Sequence, residues 1–223
     1  MCSTFGYGMA KEKPQSSGEA EATINASIAH VVLCCVAGQG ITQVQGFNFS
    51  QIGMHGNLFL FGVFGYLHNQ STRFGLNIGP VYTLSSRATR FLAIPCMMAD
   101  LYKDNHWFGG LHLLSGLVPF TIAILGNPND NRALGNLVVA GNIISLGHYS
   151  LEHSLEWGCY TAGAAIFTYY LVPQTGPKIM YPLGLALMEY CAYRAFRVKL
   201  QRKKIILNFI IAVLLIVDPC SNP

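Results

Sequence analysis

The chain has 223 residues, of which 52% are apolar and only 11% charged, with a formal net charge of +4. Soluble domains carry roughly 25% charged residues, so too few are present here to cover a surface that faces water. Nucleic-acid binding does not fit so apolar a chain, and the lipid bilayer is the first partner that the composition points to.

Residues 1–22 are polar, with Gly, Ser, Pro and mixed charge, and cannot bury enough apolar surface to order themselves. They are expected to form a cytoplasmic tail, followed by one transmembrane domain over residues 23–218 and a short C-terminal tail over 219–223. The tail has no apolar h-region after a basic start, so the first span is expected to direct insertion itself. Seven cysteines form no C-x-x-C pair and sit mostly inside apolar runs, as buried small hydrophobes do.

Crossing about 30 Å of hydrocarbon takes close to 20 apolar residues. Seven runs fit: Ile24 to Val44, Ile52 to Leu67, Trp107 to Leu125, Ala133 to Ser150, Trp157 to Val172, Ile179 to Tyr193 and Ile205 to Val217. Trp107, Trp157, Tyr169, Tyr170 and Tyr181 mark their ends as interface anchors. Gly126 to Asp130 and Val172 to Pro177 read as tight loops.

An eighth segment, Leu76 to Leu101, opens on Gly79-Pro80 and contains Arg87 and Arg90. If it does not cross, twelve basic residues lie on one side and two on the other, in line with the positive-inside bias. The expectation is therefore an all-α polytopic bundle of about seven spans. Its N-terminus is cytoplasmic, its C-terminus is outside or lumenal, and Ser86 to Leu101 is an interfacial or re-entrant helix. Gly158 with Ala162, and Thr161 with Ala165, are small residues four apart that let helices approach closely.

The densest polar stretch is His148 to Trp157, between two runs. If helical, it puts His148, Glu152 and Glu156 on one i,i+4,i+8 stripe, beside His153. Such a stripe can hold a proton. A carboxylic acid at a poorly hydrated membrane edge is kept neutral by desolvation and can protonate an apolar substrate. A solvated helix-to-helix turn accounts for the same residues.

Glu189 lies within an apolar run, where an ionisable group marks a functional site unless it is structurally paired, here with Arg194. Arg87 and Arg90 carry forks that match phosphate oxygens, or they snorkel to headgroups. Together these residues suggest one cytoplasmic-facing pocket that gathers acids, imidazoles and two arginines.

His30, His55, His68 and His112 beside apolar runs invite a bis-histidine haem. His55 and His68 are ~20 Å apart along one helix, however, too far for one haem. No cofactor or metal site is expected, and no Walker loop, Rossmann glycines, nucleophile elbow or HExxH occurs. The sequons at Asn25, Asn48 and Asn69 leave only Asn48 facing outward.

Gly109 to Leu117, followed by Asn131 to Gly141, resembles a family of uncharacterised small multi-pass membrane proteins of fungi and bacteria. That family shows Gly-x-Arg-Asp-x3-Gly and then Arg-Ala-Leu-Gly. The likeness covers about residues 109–147, with Leu111-His112 in place of Arg-Asp. It implies a compact helical bundle and a fungal secondary-metabolite setting, in which small membrane proteins include cyclases of terpenoid chains.

Three functions remain open on the residues alone. The first is a membrane-embedded enzyme acting by acid-base chemistry on a lipophilic small molecule or lipid, with Glu152, Glu156 or Glu189 as proton donor, His148 or His153 as partner, and Arg87 and Arg90 binding substrate. The second is a non-catalytic scaffold that assembles with other membrane subunits. The third is a transporter.

Overall fold

The computed structural model describes residues 17–44, 49–125, 132–175, 177 and 179–217, and all regular structure among them is helical. The helices are α1 (Ser17–Thr42), α2 (Phe49–Asn69), the single turn α3 (Ser71–Phe74), α4 (Gly79–Leu101), α5 (His106–Leu125), α6 (Arg132–Glu152), α7 (Glu156–Ile166), α8 (Val172–Thr175) and α9 (Met180–Val217). The sequon Asn48, the loop Gly126 to Asp130 and Cys220 lie outside the described residues. α1 starts within the stretch expected to be tail.

Six helices close a ring in which α1 touches α2, α2 touches α4, α4 touches α6, α6 touches α7, α7 touches α9 and α9 returns to α1. α5 packs outside the ring, against α4 and α6. Helical periodicity explains the inner faces. On α1, Ala26, Ala29, His30, Leu33 and Ala37 are buried at three- and four-residue steps, and α2 repeats this with Met54, His55, Leu58, Phe61, Gly62 and Gly65. The core between them is filled by Leu33, Phe61, Met97, Leu146, Leu185 and Met188.

Close approach rests on missing side chains. A Cβ at Gly62 would lie 2.5 Å from Cys34 Sγ, so α1 and α2 meet nearly backbone to backbone. Pro95 leaves the Phe91 carbonyl without its usual intrahelical donor, and that oxygen packs on Gly116 of α5, where a Cβ would lie 2.5 Å away. A Cβ at Gly135 of α6 would meet the Phe91 ring at 2.8 Å. Gly116 and Gly135, both within the 109–147 stretch, thus seat α5 and α6 on α4. Gly158, Thr161, Ala162 and Ala165 are all buried on α7.

Two expected elements take another form. Ile179 to Tyr193 and Ile205 to Val217 were expected as separate spans around a basic loop, but α9 runs through both as one helix. Arg194 to Lys204 contains neither Gly nor Pro and consists mainly of good helix formers, so charge alone does not interrupt the helix. Ser86 to Leu101 was expected at the interface. It is instead the second part of α4, with every residue from Ala93 to Leu101 buried. A helix lying on a surface buries one face, whereas this one has α2, α5 and α6 around it.

α7 passes through a π-helical turn, Phe167–Leu171, ahead of Pro173. A proline cannot donate to the preceding turn, and the wider π turn absorbs the mismatch. Tyr169 in this turn donates to Thr89 O of α4 at 3.0 Å, and Tyr170 donates to Asn136 O of α6 at 2.7 Å.

Candidate active site

Where α1, α2 and α9 meet, His55 Nδ1 touches Glu189 Oε1 in a hydrogen-bonded pair with side-chain exposures of 2% and 0%. The pair exists because α1 presents no side chain there. A Cβ on Gly40 would lie 2.6 Å from His55 Nδ1 and 2.7 Å from Glu189 Oε1. Phe196, two turns beyond Glu189 on α9, meets the His55 ring edge-on with centroids 5.6 Å apart. Glu189 Oε2 is buried with no hydrogen-bond partner.

One turn before His55, Gln51 donates to Asp100 Oδ2 at 2.9 Å. Lys199 donates to the backbone oxygens of Asp100 at 3.2 Å and Leu101 at 2.7 Å, so its ammonium caps the end of α4. Tyr149 also donates to Leu101 O, at 3.0 Å, and the His153 ring stacks on Tyr149 at 4.0 Å. This end of the bundle therefore carries the polar groups of α2, α4, α6 and α9 around the His55–Glu189 pair.

The other expected site residues fall elsewhere. α6 ends at Glu152, and Ser154, at φ 50°, turns the chain into α7 at Glu156. The continuous stripe of His148, Glu152 and Glu156 is therefore absent. Nitrogen and oxygen of His148 and Glu152 approach to 3.9 Å with exposures of 77% and 62%, while Glu156 and His153 are exposed. Arg194 does not pair with Glu189: its guanidinium lies over the Trp157 ring, 4.6 Å from the centroid.

The two arginines are likewise not beside the acids. Arg87 donates to Ala123 O of α5. Arg90 donates to Asn136 Oδ1 of α6 at 2.7 Å and lies 5.9 Å from the Tyr169 centroid. Among the four histidines considered for haem, His55 is held by Glu189, and His112 contacts Asn142 Oδ1 at 2.7 Å and Ser145 Oγ at 3.3 Å.

Sequence reasoning found Glu189 and missed its partner. His55 was noticed only as one of several histidines near apolar runs, and the glycine that admits it, Gly40, carried no local signal. The available sign was a match of depth, since His55 and Glu189 each lie one or two turns inside an apolar run, at the same end of antiparallel helices.

The hydrogen bond between the His55 ring and the Glu189 carboxyl is a path along which a proton can pass from one to the other. Oε1 is engaged by the ring, so Oε2 is the oxygen free to exchange a proton with a bound molecule. Compared with known proteins, the chain matches no protein-family model, no curated protein and no solved structure.

Proposed function

We propose that the protein is a membrane-embedded enzyme that moves a proton to and from a lipophilic small molecule, with Glu189 as the proton donor and His55 as its partner. The observation that carries this reading is the fully buried His55–Glu189 contact, with Oε2 left over and no neighbouring side chain on Gly40. A proton delivered from Oε2 to a double bond, and one returned to the pair from an adjacent carbon, leaves the pair as it began. The net reaction is an isomerisation or ring closure.

The membrane setting rests on two features. By length and composition, Thr23–Thr42 and His106–Leu125 can each cross a bilayer. In addition, Ile28, Leu111, Leu114, Leu137 and Ile144 face outward, more apolar surface than a water-soluble monomer ordinarily shows. In this reading seven helices cross: α1, α2, α4, α5, α6, the segment from α7 to α8, and the first part of α9. α4 takes the place that the second part of α9 held in the sequence count, and the termini remain on opposite sides; Arg194 to Lys204 then falls on the side opposite the N-terminus, so the twelve-to-two count of basic residues no longer orients the chain.

The test compares organic extracts of cells expressing the wild-type chain, Glu189→Gln, Glu152→Gln or Glu156→Gln by mass spectrometry. A wild-type-dependent product should be lost in Glu189→Gln, which keeps size and hydrogen bonding but has no acid proton. It should persist in the two exposed variants, with all four proteins accumulating in membranes. Product formation by Glu189→Gln at the wild-type level would remove the proposal.

A further inference from the structure

At the opposite end of the bundle, α1, α2 and α4 meet in a second polar group that the acid-base site does not use. Among the described residues, five buried side-chain nitrogen or oxygen atoms have no hydrogen-bond partner, and three of them belong to His30, His68 and Asn69. Native proteins leave few such atoms unpaired, and several together in one place call for a bound partner.

They converge for a geometric reason. The His30 ring lies on Gly65, where a Cβ would be 2.1 to 2.5 Å from its ring atoms. His68 and Asn69 follow Gly65 by three and four residues on α2, so they are its neighbours on that helix face. One turn toward the end of the seam, Gln70 donates to Ser27 Oγ at 3.1 Å and closes α1 against α2. Aromatic rings form the remaining wall: Tyr82 of α4 stacks on His68 at 4.6 Å and on Phe61 at 5.4 Å, and Phe61 meets Tyr181 edge-on at 6.0 Å.

The unpaired atoms define the ligand's chemistry. Asn69 offers Nδ2, which only donates, and a neutral imidazole donates from Nδ1 in one of its two tautomers. These N–H groups lie along the seam of α1 and α2 beside the Phe61 and Tyr82 rings, where an acceptor oxygen with two lone pairs can take hydrogen bonds from two of them. An anionic oxygen would be desolvated at great cost in such surroundings, whereas a neutral carbonyl would not. A metal ion would use the imidazoles and leave the amide N–H unpaired.

We propose that His30, His68 and Asn69 form a second binding site, separate from the His55–Glu189 pair, that holds the carbonyl oxygen of a neutral lipophilic compound such as a quinone. This site stands whether or not Glu189 is an acid catalyst, because its test reads binding alone.

The test uses the full chain purified in detergent and equilibrium dialysis against a decyl-substituted 1,4-benzoquinone, with decanoate as the carboxylate comparison. Saturable binding of one quinone per chain is expected, weakened about tenfold in His30→Phe and in Asn69→Leu, and unchanged in His112→Phe. Asn69→Leu should also leave the ligand-free protein at least as heat-stable as wild type, since it removes an unpaired donor, and should abolish most of the quinone's stabilising shift. Equal quinone binding by wild type, His30→Phe and Asn69→Leu would overturn the proposal. So would saturable binding of decanoate alone, no saturable binding of either compound, or a stoichiometric metal that is lost in His30→Phe.

Discussion

Replacing Gly40 and Gly56 by alanine, one at a time, probes the buried pair through two changes that are chemically identical. Both glycines lie in helices, so each alanine gains up to about 1 kcal/mol of helix propensity. At Gly56 nothing lies within 4 Å of the added Cβ, and the gain stands alone. At Gly40 the new methyl would sit 2.6 Å from His55 Nδ1 and 2.7 Å from Glu189 Oε1, well inside ordinary contact.

Either α1 moves away, at an overpacking cost of about 1–3 kcal/mol, or the pair separates and loses a hydrogen bond to an ionisable group, about 1.5–3 kcal/mol. After a propensity gain of about 1 kcal/mol is subtracted, the net effect at Gly40 is a loss of up to about 2 kcal/mol. For a chain of this length that lowers the melting midpoint by up to roughly 8 °C, while Gly56→Ala raises it slightly. Thermal unfolding of the purified proteins in the same detergent reads both. Equal midpoints for the two variants would refute the packing on which the site is built.

Lys199→Met should lower the same midpoint by a few degrees, about 1–2 kcal/mol, because it strips the cap from the Asp100 and Leu101 carbonyls at the end of α4. Unchanged stability would mean that water caps that helix equally well. Epitope tags at the two termini should be cleaved differently by protease added to sealed vesicles, one being digested and the other protected, as an odd number of crossings requires. Equal protection of both tags would exclude seven crossings.

The all-helical class was legible in the sequence because apolar runs of helix-spanning length dominate the chain. The helix count was legible only in part. α4 carries Arg87 and Arg90, which lowered its apparent fitness as a packed helix. Its burial depends on Gly116 and Gly135 from other helices, a tertiary feature that no local window contains. α9 was split for the opposite reason, since six basic residues looked like a loop although nothing in them opposes helix.

Glu189 stood out because a lone acid in an apolar run needs an explanation, whereas the His148 to Glu156 cluster stood out by density alone. Density of polar residues marks a turn as readily as a site, and Ser154 makes that turn here. His55 could be assigned only when α1, α2 and α9 were placed together, 134 residues separating it from its partner.

Solvent deuterium tests the central claim most directly. Cells expressing the wild-type chain and grown in heavy water should form a product that carries deuterium at the protonated carbon, and cells expressing Glu189→Gln should form none. Deuterated product from the Glu189→Gln cells, or wild-type product without deuterium at the protonated carbon, would contradict the assignment of Glu189 as the proton donor.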